Sequence, residues 1–93
     1  MSALEIEEVL REHSEILDCA VVGIEDLEWG EKVLAVIELR RPGALDLRNL
    51  REWTKERLAV QKVPRELFEI EKLPINALGK INKKELRARF EER

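Results

Sequence analysis

Apolar residues recur along this 93-residue chain with a period that changes from segment to segment, and each change marks an element. Ile6, Val9, Leu10 and His13 fall at helical spacing behind Ser2 and Glu5. That serine and glutamate form a capping-box pattern, in which each side chain satisfies the other's backbone amide. The pattern predicts a helix from Ala3 to His13. "ILDCAVVGIE" and "EKVLAVIELR" are rich in β-branched residues and predict two strands. The intervening "EDLEWGEK" is longer than a minimal hairpin turn and places Trp29 beside Gly30. Pro42 and Gly43 end the second strand. Asp46 is then placed to cap a helix with Leu47, Leu50, Trp53 and Leu58 on one side and basic residues on the other. Val63-Pro64 breaks that helix. "ELFEIEKL" alternates as a third strand, stopped by Pro74. A last helix has Asn82 as N-cap, Glu85 as its reciprocal partner, an Ile81–Leu86 staple, and Leu86 and Phe90 as its buried face.

The order is α-β-β-α-β-α. The first two strands pair antiparallel, and the connection through the middle helix allows a parallel third. The expected fold class is α+β, a small three-stranded mixed sheet packed with helices.

A 44% apolar composition excludes disorder, and 40% charged residues imply a well-solvated surface around one modest core. "CAVVGI" and "VLAVI" are too short to span a bilayer, and no basic-then-apolar leader precedes them. Cys19, the only cysteine, cannot form an internal disulfide and reads as a small buried apolar residue. These features lead to the expectation of an intracellular protein, cytoplasmic or in the mitochondrial matrix. The net charge of −3 hides an asymmetry: residues 1–31 carry ten acids and one base, residues 32–93 sixteen bases and ten acids. The basic half could attract a phosphate-bearing ligand, although bases interleaved with acids equally describe a solvated face.

Most catalytic chemistries lack their residues here. His13 is the only histidine and has no cysteine nearby, so no metal site is expected. The four glycines at 23, 30, 43 and 79 form no phosphate loop, and no serine or threonine sits in a nucleophile context. The carboxylates read by default as a solvated face. A basic helix, "KINKKELRAR", raises nucleic-acid binding. The acidic whole, the absence of tyrosine and two phenylalanines without a stacking stripe argue against it. A catalytic role must therefore rest on Lys80 or on residues of a partner domain. Pro74 and the Asn82 cap restrict the Lys80 loop, and Gly79 permits either positive φ or close approach of another surface. An ammonium on a four-carbon stem reaches beyond the loop and suits negative charge developing in a transition state. An ordinary surface lysine ahead of a helix is the alternative.

"LPINALGKINKKEL" resembles the C-terminal signature of the AMP-forming acyl-CoA synthetases, in the adenylate-forming superfamily that includes luciferases and peptide-synthetase adenylation domains. "SALEIEEVLREH", "AVVGIEDLEWGEKVLAVIEL" and "VQKVPREL" extend the resemblance over nearly the whole chain, in the family's order. It implies a two-step ligase: a carboxylic acid and ATP give an acyl-adenylate and pyrophosphate, then CoA displaces AMP. It also implies that residues 1–93 are a mobile C-terminal domain that rotates between the steps. Lys80, supported by Gly79 and Pro74, would serve the first step. Trp29 and Gly30 would lie against CoA in the second, with Lys55 and Arg57 near its phosphates, at positions that vary within the family. ATP, CoA and Mg2+ would bind mainly through a large N-terminal domain of the same enzyme. That domain and its hinge are expected ahead of "SALEIEE", so the chain alone is expected to be inactive. Gln61 and Ser14 depart from the family's usual tyrosine and proline. "SALEIE", "EWGEK" and "NALGKINKKEL" look closest to a malonyl-CoA synthetase-like branch. The alternatives are an adenylation domain that feeds a carrier protein, and a small nucleic-acid- or protein-interaction module.

Overall fold

The two long apolar runs pair with one another and become the spine of the molecule. In the computed structural model, which describes residues 3–28 and 30–91, β1 (Ile16–Asp26) and β2 (Gly30–Leu39) run antiparallel. β3 (Glu66–Glu69) joins β2 in parallel, giving the order β1-β2-β3. Three helices complete the fold: α1 (Ala3–Arg11), α2 (Leu47–Lys55) and α3 (Lys83–Glu91). The mixed sheet and the helix-strand order are those expected of an α+β domain. The Ser2 half of the first capping box lies outside the described residues.

Side chains alternate across the strands, which divides the buried residues into two layers. Cys19, Val21, Ala35, Ile37 and Leu39 face α1 and α2, where Ile6, Leu10, Leu50 and Leu58 complete a core. Ala20, Val22, Ile24, Leu34 and Val36 face the other way, against Leu73 and Leu86 of the α3 side. Coverage of both faces explains why these strands read as near-continuous apolar runs. Burial pushes the Cys19 thiol up to about 12, only partly opposed by Arg11, so it stays protonated and inert near neutral pH.

Several boundaries differ from expectation, each for a local reason. α1 stops at Arg11, not His13. Glu12 and His13 donate their N–H groups to Val9 and Leu10, three residues back, and His13 Nδ1 accepts from Glu15 N at 3.1 Å. The tightened turn releases the chain into β1. Asp46 caps α2 by accepting from Arg48 N. Leu58, expected on that helix, is buried just beyond its end, where Arg57 N and Leu58 N both donate to Thr54 O. A 3-10 turn at Val60–Lys62 precedes Pro64. β3 is four residues, not the eight of "ELFEIEKL". Ile70 N still donates to Ile37 O, but the ladder stops there, and Leu73 N, just ahead of Pro74, donates to the Glu38 carboxylate at 2.9 Å instead of to a strand neighbour.

Candidate functional site

The segment that read as a loop around Lys80 is a tight hairpin. Asn82 N donates to Pro74 O at 2.8 Å, Ile75 and Ile81 form an antiparallel bridge, and Asn76 N donates to Lys80 O at 2.8 Å. The tip closes through Gly79 N to Asn76 O at 3.0 Å, a type I turn followed by a left-handed residue. Gly79 has φ +82° with nothing within 4 Å of where a Cβ would sit. Of the two reasons a glycine could be needed there, backbone conformation is the one observed. The hairpin runs directly into α3, because Asn82 Oδ1 accepts from Glu85 N at 3.1 Å. The reciprocal half of that capping box is not made. Asn82 N is engaged by Pro74, and the Glu85 carboxylate pairs with Arg89 at 3.2 Å.

Lys80 is exposed at the end of this rigid lever, and its ammonium has no ion-pair partner among the described residues. Leu78 and Ile75 beside it are exposed apolar residues, 82% and 51% accessible. Below, α3 is seated by Leu86 and by Phe90, whose ring stacks on Phe68 at 4.7 Å between centroids. A second anchor passes around the sheet. Glu7 of α1 is 6% exposed, and its Oε2 accepts from Val21 N of the edge strand and from Lys83 Nζ of α3, both at 2.8 Å. The carboxylate thereby plugs an open strand edge and ties the helices on opposite faces together.

The other expected site residues are spread over the surface. Gly30, with φ +80°, opens β2 opposite Asp26 in the register, beside the fully exposed Leu27; Trp29 lies outside the described residues. Lys55 pairs with Glu52 at 3.2 Å and lines a shallow basic groove with Arg51, Arg65, Val60 and Val63. Arg57 does not share that groove. Its guanidinium lies 4.0 Å over the Trp53 ring and donates to Trp53 O at 3.0 Å, next to His13. Lys55 and Arg57 thus line different hollows. Among the described residues no group of three or more His, Cys, Asp or Glu could hold a metal ion, and the hairpin around Lys80 supplies no carboxylate set for Mg2+.

Asn76, Glu7 and Glu38 were not singled out by the sequence. Asn76 carried a signal, since asparagine three residues before glycine is the composition of a type I turn. Glu7 also carried one, because it shares the helical arc of the buried Leu10. Glu38 carried none; its role depends on where the chain returns after β3.

The chain belongs to the AMP-binding enzyme C-terminal domain family, whose model matches residues 5–80. It is 46% identical over 90 residues to the mitochondrial malonate–CoA ligase of Homo sapiens, covering 97% of this chain and 16% of that protein. ATP-bound MatB from Rhodopseudomonas palustris superposes with a TM-score of 0.92 at 25% identity, covering 99% of this chain and 18% of that one. The o-succinylbenzoate–CoA synthetase of Bacillus subtilis, in complex with its acyl-adenylate intermediate, gives 0.83 at 33% identity, covering 94% and 18%. The chain therefore spans about a sixth of the length of the curated relatives it matches, 16% in the human case. No helix of the described residues is long and apolar enough to cross a membrane.

Proposed function

We propose that residues 1–93 act as the mobile C-terminal domain of an AMP-forming acyl-CoA ligase, with Lys80 as the group that reaches the reacting atoms. The observation that carries this reading is the presentation of Lys80: an exposed ammonium, without an ion-pair partner among the described residues, on a hairpin fused to a capped helix. In the first step a carboxylate oxygen attacks the α-phosphorus of ATP, the acyl–phosphate bond forms, and the α–β phosphoanhydride breaks to release pyrophosphate. Negative charge redistributes over the carboxylate and phosphate oxygens, and a fixed ammonium brought against them stabilises it. In the second step the CoA thiol attacks the acyl carbon and AMP leaves. Removing Lys80 by a rigid-body rotation frees the path for the thiol.

ATP, the acid, CoA and Mg2+ would be held chiefly by an N-terminal domain of the same enzyme. In this domain, Gly30 is the residue offered to CoA, with Trp29 beside it in the sequence. Lys55 is the better placed of the two expected phosphate contacts, because Arg51 and Arg65 reinforce its field, whereas Arg57 is held on Trp53. Similarity to malonate–CoA ligases supports malonate as the acid, and the mitochondrial relatives support a matrix location.

The test uses the full-length ligase. Lys80→Ala should lower acid-dependent pyrophosphate release by 100-fold or more, on the order of losing one transition-state electrostatic contact. Thioester formation from supplied acyl-adenylate should stay within about threefold. Equal losses in both half-reactions would reject the assignment. The isolated 93-residue chain should release no pyrophosphate from ATP and malonate; measurable release would show that it holds a complete site.

A further inference from the structure

One side chain closes the hairpin that presents Lys80. Asn76 Oδ1 accepts the backbone N–H of Leu78 at 2.9 Å and that of Lys80 at 3.0 Å. The Asn76 main chain adds a bond to Lys80 O at 2.8 Å and one from Gly79 N at 3.0 Å. Three consecutive amides, at residues 78, 79 and 80, thus converge on two oxygens of one residue. These amides are satisfied internally, so the loop offers an anion no backbone nest, and Lys80 Nζ is left as its cationic reach. The hairpin is also exposed throughout its tip, with no core packing above it. In that setting a glycine-containing turn keeps one geometry only if its own polar groups hold it.

We propose that Asn76 is a positioning residue for Lys80, acting through the backbone of residues 78–80. The property required at this position is a short side-chain oxygen acceptor, not an amide. Both side-chain bonds end on Oδ1, so aspartate preserves them and alanine or leucine removes them. The proposal rests on the reading of Lys80 as the group that serves adenylation. A displacement of about 1 Å in a positioned reacting group is enough to slow a reaction about 100-fold. Asn76 is exposed, so its replacement leaves the two cores intact.

The test compares Asn76→Ala, Asn76→Asp, Lys80→Ala and the double variant Asn76→Ala/Lys80→Ala in the full-length ligase. Asn76→Ala should lower kcat for acid-dependent pyrophosphate release about 10- to 100-fold, with KM for ATP and acid within about threefold. Thioester formation from supplied acyl-adenylate should stay within about twofold, and Asn76→Asp should recover most of the adenylation rate. A residue that works only through Lys80 costs nothing once Lys80 is gone, so the double variant should match Lys80→Ala within about twofold. Amide hydrogen exchange over residues 76–80 should rise in Asn76→Ala and not in Asn76→Asp. A further loss on the Lys80→Ala background, equal losses in both half-reactions, or failure of aspartate to rescue would overturn the proposal. If Lys80→Ala itself leaves adenylation intact, the proposed function falls and takes the positioning role with it. That outcome is distinguishable because the exchange contrast at residue 76 persists, whatever Lys80 does.

Discussion

The two faces of the sheet are built unequally. Among the described residues, the face under α1 and α2 buries ten apolar side chains, and the face under α3 buries seven. The first face receives two helices; the second receives one helix, a chain segment through Leu73, and the hairpin bearing Lys80. The lysine proposed to react gains little rigidity from the cores, since of its hairpin residues 75–81 only Ile81 packs on the smaller one. Lys80 gains it from the hairpin's own hydrogen bonds and from the clasp of Glu7 on Lys83, which binds the thinner layer to the thicker one. Stability and presentation are thereby assigned to different regions, and substitutions can separate them.

The clasp is where separation should cost most. Glu7→Ala removes the acceptor of Val21 N, opens the outer edge of β1, and leaves Lys83 without its partner. Val21 N is then left unpaired beside the core, about 1–3 kcal/mol, and the charge-assisted bond to the half-exposed Lys83 is lost, about 1.5–3 kcal/mol at most; together these are a large share of the stability of so small a domain. Urea unfolding should show it; a change below about 1 kcal/mol would mean that the two faces are held together without the clasp. Glu7→Gln should be milder, because it can still accept from Val21 N.

Next come the cores themselves. Leu50→Ala and Leu86→Ala each delete a fully buried leucine, from opposite faces, and each should cost about 2–5 kcal/mol. The consequences should differ in kind. Leu50→Ala should lower the global unfolding midpoint with little change in relative protection. Leu86→Ala should raise hydrogen exchange in α3 and the hairpin above that of the sheet, because only one helix covers that face. Uniform exchange in both variants would show that the two layers open as one unit.

The same inequality decides what could be read from the chain alone. The thicker layer is made of periodic runs, and periodicity exposed α1, β1, β2 and α2 along with the Asp46 cap. The Asn82 cap and Leu86 were legible for the same reason, as local signals at fixed offsets. β3 was overextended because Phe68 and Ile70 alternate with Glu69 and Glu71 past the end of the paired residues, while the bond that takes Leu73 N to Glu38, off the ladder, spans 35 residues. Glu7 was read as part of an acidic surface, since nothing in its neighbours names a partner on the far side of β1. The Lys80 motif was legible as a motif, and the resemblance gave it a role. Its geometry was not, because Asn76 holds the turn through contacts that a residue list does not display.

The smallest effect gives the sharpest contrast, because it uses the same backbone strain in two places. Gly43 and Gly79 have φ of +74° and +82°, and neither has an atom within 4 Å of a added Cβ. Alanine at either position meets no clash and suffers only the left-handed penalty, about 1–2 kcal/mol. Gly43 lies after β2, where its N–H donates to Glu69 at 2.9 Å, far from the hairpin in sequence. Gly79→Ala strains the turn next to Lys80. Matched penalties should therefore give similar small drops in urea midpoint and unequal function: Gly43→Ala should leave adenylation by the full-length ligase within about twofold, and Gly79→Ala should slow it about tenfold as the turn relaxes. Asparagine, which tolerates the left-handed region better than alanine, should restore part of the rate at position 79. Equal adenylation by the two alanine variants would mean that Lys80 does not depend on the conformation of its turn, and that presentation is set by the α3 layer alone.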